Sequence, residues 1–292
     1  MIIGIGATAG QRGLAYSAVF PGKAFTMLYL LLALFGCLTG VTTLLFGFGG
    51  GFVVVPLLYH LLTQVQGATP AAMQIAVATS TCVMIVSAAL ATRRHAAAGN
   101  LDRRYLWPLA GYIALGAVFG ALLAARTAAD TLRLAFILYL AVTILDCLLR
   151  RGFMAREDAS TRLLGHGKTG VMGTLIGVIA SALGVGGSVM TVPMLRRLGL
   201  SMGRATAMAS PLTLPVAIAG SATYMAAGWQ LPGSFGPEYI GYVNIPAFAL
   251  LAAGSWSGTR LAAPLLGRLG DRYHAQIYIG LLVLVLLAMV LG

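Results

Sequence analysis

Apolar residues fill this chain in blocks separated by short polar or basic stretches, and within a block neither a period of two nor a narrow helical stripe emerges. The blocks are 26–46, 51–63, 71–92, 105–125, 132–149, 169–186, 188–199, 204–227, 240–261 and 274–291. A bilayer core of about 30 Å needs roughly 20 apolar helical residues to cross it. Eight blocks predict crossing helices on that measure, while 51–63 and 188–199 are too short to span.

Both short blocks follow the same motif. Gly47-Phe48-Gly49-Gly50-Gly51 runs on to Val55-Pro56, and 137 residues later Gly184-Val185-Gly186-Gly187-Ser188 runs on to Val192-Pro193. Self-similarity at a fixed offset is the mark of an internal repeat. Gly36 and Gly40 recur as Gly173 and Gly177, Gly116 and Gly120 as Gly254 and Gly258, and Ala78-Thr79-Ser80 as Met208-Ala209-Ser210. The chain therefore divides into an N-terminal segment 1–25, a first repeat 26–150, a basic linker 151–168 and a second repeat 169–292. Within each repeat the glycines predict a helix that enters, breaks and returns as a re-entrant hairpin, because irregular backbone at membrane depth survives only where protein shields it from lipid. Pro56 and Pro193 fix a bend in the returning arms.

Composition narrows the class. Of the 292 residues 59% are hydrophobic and only 9% charged, against roughly 25% charged in soluble domains; mean hydropathy is +0.90. This is an all-α polytopic membrane protein. The net charge of +12 does not indicate nucleic acid, since no basic face carries interleaved aromatics. Instead, 15 of the 19 Lys and Arg fall in 93–104, 150–168, 196–204 and 260–272, and basic loops stay cytoplasmic. That puts 93–104 inside and its repeat counterpart 228–239 outside, so the two repeats have inverted topology. A hairpin plus three crossings per repeat gives the odd number that inversion requires, with both termini facing the exterior. Residues 1–24 hold only Arg12 and Lys23, and Pro21 and several glycines break any apolar run, so the pattern does not support a cleaved leader, without excluding one.

Inverted repeats with interrupted helices describe secondary transporters, whose sites sit where the broken elements meet. A helix starting after a glycine turn points unpaired N–H groups and a positive dipole end at that place, which suits an anion. The candidate substrate-binding residues are Gly47, Gly49, Gly50, Gly51, Gly184, Gly186, Gly187 and Ser188, joined by the hydroxyls of Thr79, Ser80 and Ser210. Gln74 and Arg204 lie six residues before the matched serines, and Arg204 is the candidate fixed positive charge. It could equally anchor a helix start at the membrane surface. Asp146 reads as a carboxylate reaching a loop arginine. His60 and His95 flank crossings and read as interfacial; His166 and His274 lie in or beside loops. Cys37, Cys82 and Cys147 sit inside apolar blocks and read as small core residues. No catalytic motif, metal site or cofactor fingerprint is present.

Taken together, the two motif copies, the Ala78-Thr79-Ser80 stretch and the loop from His95 through Gly99-Asn100-Leu101-Asp102 resemble the TauE/SafE sulfite exporter family, also called the toluene sulfonate uptake permease family. The resemblance covers about residues 26–291. It implies a bacterial inner-membrane permease for sulfite, sulfonates or related organosulfur anions, energised by the proton gradient. Ser188 stands where the first copy has its third motif glycine, which implies an asymmetric site. Besides the anion, the expected partners are protons and lipid. A carboxylate permease and a non-transporting membrane scaffold are the competing readings, and oligomeric state is left open.

Overall fold

The computed structural model describes residues 22–65, 70–149, 165–229 and 235–291. Most of the N-terminal segment 1–25 and of the basic linker 151–168, and residues 230–234 of the segment 228–239, lie outside the described residues. The helices are α1 (Gly22–Phe46), α2 (Gly51–Val65), α3 (Ala72–Ala97), α4 (Arg103–Leu106), α5 (Leu109–Arg126), α6 (Ala129–Leu149), α7 (His166–Leu183), α8 (Ser188–Arg197), α9 (Met202–Trp229), α10 (Ile245–Ala262) and α11 (Asp271–Leu291). Among the described residues six helical segments are long and apolar enough to cross a membrane: Met27–Phe46, Ala72–Ala97, Arg103–Arg126, Ala129–Leu149, Met202–Trp229 and Asp271–Leu291. Their outward side chains include Leu30, Leu34, Leu138, Val142, Leu284 and Val290, all more than half exposed. Only a hydrocarbon solvent covers such a surface without cost.

Two expected crossings are not among these six: α7 equals its block in length but ends three residues before it, and α10 is shorter than its block. Residues 169–186 and 240–261 form α7 and α10, of 18 residues each. The reasons are local. Gly184 adopts φ +67 and ends α7 in a left-handed cap, and residues 239–244 pair as a small antiparallel hairpin, β1 (Tyr239–Ile240) with β2 (Val243–Asn244). The Asn244 side chain then caps α10 by accepting from Ala247 N at 2.9 Å, with proline in the first turn.

Small residues decide which helices touch. Gly36 packs on Leu251 and Gly254, and Gly40 on Ser255 and Thr259, so α1 and α10 run side by side in the same direction. Likewise Gly116 packs on Thr174, Gly120 on Val178 and Gly177 on Ile113, which joins α5 to α7, again in parallel. Each glycine faces backbone of its neighbour, where no Cβ fits; between helices in lipid such close approach supplies much of the attraction. Inside these two pairs, α3 packs against α9. Both central helices are largely buried.

At one end of the bundle the ends of α1, α3 and α8 meet the starts of α9 and α11. Arg196 on α8 pairs with Asp271 at 2.9 Å, and the exposed Arg197 pairs with Asp146 at the end of α6. At the other end, His60 of α2 bonds Ala288 O at 2.9 Å and Arg133 of α6 donates to Met289 O at 2.9 Å, closing the C-terminal carbonyls of α11.

Candidate functional site

The chain reverses at both glycine motifs. In the first, Gly47, Gly49 and Gly50 adopt φ of +74, +68 and +96, and in the second Gly184 and Gly186 adopt +67 and +66, a region side chains rarely enter. The reversal carries Gly50 back beside Thr39 and Thr43 of α1. From there α2 and α8 depart in their own directions, each with its proline at the sixth residue, Pro56 and Pro193.

The two breaks meet. Gly51 abuts the carbonyl of Gly184 so closely that no Cβ could be accommodated, and the Cβ position of Gly186 lies 3.4 Å from Phe48 O. Met84 and Thr213 each touch both Gly49 and Gly186. Met84 sits near the middle of α3 and Thr213 near the middle of α9, so the junction lies about midway along the two central helices. Hydroxyls of α3 stitch it: Ser80 donates to Gly184 O at 3.0 Å and Ser87 to Gly49 O at 2.6 Å.

The N–H groups at the junction are left over. Val53 and Val54 donate to Gly50 O, and Met190 and Thr191 to Gly187 O. Among the described residues no protein acceptor meets the N–H groups of Gly49, Gly50, Gly51 and Phe52, or of Gly186, Gly187, Ser188 and Val189. Every one of these residues is buried. Nearby, the buried hydroxyls of Ser181, Ser188, Thr191 and Ser210 also lack partners among the described residues. Unpaired buried donors cost on the order of 1–3 kcal/mol each, and they mark an electropositive place without a single charged side chain.

The two copies are not equivalent. Phe48 stacks on Phe52 at 4.3 Å and on Tyr278 of α11 at 4.7 Å, whereas the second copy has Val185 and Val189 at the matching positions. Ser188, which replaces Gly51, is fully buried.

The structure brings Gly47, Gly49, Gly50, Gly51, Ser80, Gly184, Gly186, Gly187, Ser188 and Ser210 into this one region; Gly47 packs on Thr206 and Ala209, directly beside Ser210. Thr79 is nearby but its hydroxyl accepts from Asn244 N at 3.0 Å, which fastens the β-hairpin to α3. Gln74 lies near the start of α3, its amide donating to Thr127 O at 2.6 Å. Arg204 is exposed at the opposite end of the bundle, away from the junction.

Arg204 lines an open cleft of about 360 Å³, together with His95, Asn100, Ser201, Asp271 and His274. Both histidines stand at helix ends, as expected, but neither is exposed there. Both are buried, and they hold the last carbonyls of α1: His95 Nε2 bonds Leu44 O at 3.0 Å and His274 Nε2 bonds Leu45 O at 2.7 Å. The reason is that α3 continues to Ala97 and α11 begins at Asp271, bringing both rings against a helix end whose carbonyls need donors. Sequence position alone hid this, although both histidines stand within a few residues of an apolar block. A second cleft, of about 570 Å³, opens at the other end between α5 and α9, with Arg126 and Tyr242 on its wall. Burial pushes the Tyr242 phenol up from its ordinary pKa. Among the described residues no three His, Cys, Asp or Glu side chains gather as a metal site.

Two relatives by sequence are described as probable membrane transporters. The chain is 29% identical over 243 residues to a probable membrane transporter protein of Haemophilus influenzae, covering 82% of this chain and 89% of that protein. A probable membrane transporter protein of Methanocaldococcus jannaschii is 26% identical over 231 residues, covering 78% of this chain and 82% of that one. The profile described as sulfite exporter TauE/SafE matches residues 32–289, and with that span the chain belongs to the TauE/SafE sulfite exporter family of membrane transporters.

Proposed function

We propose that this protein is a secondary transporter of small sulfur-containing anions, sulfite or organosulfonates, which binds its substrate at the junction of the two glycine breaks and works by alternating access. The observation that carries the reading is the double row of unpaired N–H groups buried where α2 and α8 begin. Helix N-termini attract anions through aligned dipoles and free donors, and an anion there would relieve the desolvation cost those donors now bear. Ser188 and Ser210, whose hydroxyls lack partners, would add donors on one side. An oxyanion has several acceptor atoms and suits such an array.

Two inverted halves, 26–150 and 169–292, would build this site. Supporting that arrangement, α1 pairs with α10 as α7 pairs with α5, each through matched glycines. The related residues Gln74 and Arg204 lie at opposite ends of the bundle. In this reading the arginine-rich end is cytoplasmic, the termini face outward in a bacterial inner membrane, and the two clefts are the two mouths of one path. Protons serve as the coupling ion.

The test is flux into proteoliposomes with sulfite, a sulfonate, a carboxylate and chloride as separate substrates. Saturable flux of the sulfur anions, lost in Gly186→Ala, is expected. Flux of carboxylates alone would replace the substrate class, and no flux of any anion would leave a membrane scaffold.

A further inference from the structure

The cleft at the arginine-rich end is built for more than passage. Its charged groups divide into committed and uncommitted ones. The Asp271 carboxylate is taken up by Arg196 Nη1 at 2.9 Å and by Met202 N at the start of α9, so it caps that helix and offers the cleft no free acceptor of full charge. Asp102 is not on the cleft wall, and its carboxylate accepts from Arg104 N at 2.9 Å. Arg204, by contrast, is exposed with its guanidinium paired to nothing among the described residues, its backbone N–H alone leaning on Ser201 Oγ at 3.4 Å. His95 is 2% exposed, and its Nδ1 has no partner among the described residues.

The tautomer of His95 follows from its partner. A carbonyl only accepts, so Nε2 must carry the hydrogen that it gives to Leu44 O. In the neutral ring Nδ1 is then a bare lone pair, buried without a partner among the described residues, on a ring that lines the cleft with Arg204 and Ser201. Such a nitrogen binds an anion only after gaining a proton. The charged or titratable groups facing it are His274 and Asp271 on α11, Arg204 on α9 and Arg196 on α8.

We propose that this cleft is a vestibular oxyanion site, in which Arg204 supplies the standing charge and His95 takes a proton from solution onto Nδ1 as the anion binds. The proposal rests on the transport reading and gives it a place for the coupled proton. Thr206 lines the cleft, and its carbonyl lies 2.8 Å from the Cβ position of Gly47, so the vestibule ends against the first glycine break. Because His95 and His274 hold the carbonyls just before that break, the ring that takes the proton also touches the hairpin that must move.

The test uses the full chain in detergent with methanesulfonate as probe, since its charge does not change across the imidazole range and it is compared with chloride at equal ionic strength. Apparent affinity is read from saturable shifts in melting temperature at about pH 5.5 and about pH 8, either side of histidine titration. The parent should bind more tightly at the lower pH. Arg204→Gln should weaken binding about ten- to hundredfold at both, the range of a lost charged hydrogen bond. His95→Gln keeps an N–H for Leu44 O and should bind as the parent does at the higher pH, without the gain on acidification. Arg204 is exposed, so its variant does not load the fold, and its titration alone decides the anion half if the His95 variant misfolds; the parent's affinity across pH decides the proton half. Affinity unchanged in R204Q, a parent indifferent to pH, or no saturable shift in the parent overturns the inference. Proteoliposome flux that persists alongside such a result leaves the transport reading standing; R204-dependent, proton-linked binding without flux does the reverse.

Discussion

Replacing Gly51 by alanine tests whether the two glycine breaks really bear on one another. The new methyl would point into the backbone carbonyl of Gly184 and come within 2.8 Å of Ser80 Oγ. Neither can yield cheaply, because the carbonyl belongs to the other break and accepts from that same serine. Overpacking a tight site costs about 1–3 kcal/mol and more where backbone must move, while alanine in place of glycine in a helix returns at most about 1 kcal/mol. The net loss is about 2 kcal/mol or more. Gly187→Ala is the matched control. Its φ is −68, and its methyl would meet no backbone, only the Ile176 Cγ2 methyl at 3.1 Å, which needs to give by a few tenths of an ångström, so the strain is far smaller. At about 2–4 °C per kcal/mol for a chain of this size, G51A should melt roughly 4–8 °C below the parent and lose most flux, with G187A within about 2 °C. Melting curves on purified protein and proteoliposome flux read both. Equal melting temperatures for G51A and the parent would refute the argument that the breaks are in backbone contact.

Other residues make further predictions. Ser87→Ala leaves Gly49 O without its 2.6 Å donor and should destabilise by about 1–3 kcal/mol, seen as a lower melting temperature; Ser87→Thr, which keeps a hydroxyl, should recover part of it. Asp146→Asn weakens the half-exposed pair with Arg197, and such pairs are worth about 0–1 kcal/mol, so flux and its proton dependence should survive; their loss would make Asp146 a proton carrier. Gly258→Leu drives a large side chain into the Cys37 backbone and should abolish monodisperse expression, whereas Gly280→Leu, with nothing near its Cβ, should express normally. Thr79→Ala removes the acceptor of Asn244 N and should raise hydrogen exchange in residues 239–244 above that of α3.

Much of the architecture could be read before any coordinates, because in a membrane the constraint is one-dimensional. Block lengths set the helices, and nine of the ten block ends fall within three residues of a helix end, the exception being α3, which runs to Ala97. The glycine pairs 36/40, 116/120, 173/177 and 254/258 could be matched by offset, yet their contacts could not. Similarity relates Gly36 to Gly173, but in space Gly36 lies against Gly254, since matched elements of two copies need not touch each other. The burial of the histidines was hidden for a related reason. A ring that reads as interfacial by hydropathy is drawn inward when a helix end of another segment presents carbonyls to it, and nothing in the sequence near His95 speaks of Leu44. Arg204 was legible as a charge at the start of a helix and illegible as to depth: six residues before Ser210 is more than one and a half turns, about 9 Å along the axis, enough to separate the vestibule from the junction. That separation has a physical consequence. A guanidinium at the junction would hold an anion too tightly to release and would demand its own desolvation in every empty cycle. Backbone N–H groups carry only partial charge, so on the proposed reading a junction built from glycines would bind an oxyanion while leaving it free to depart, and the full charge would stay at the mouth where water screens it.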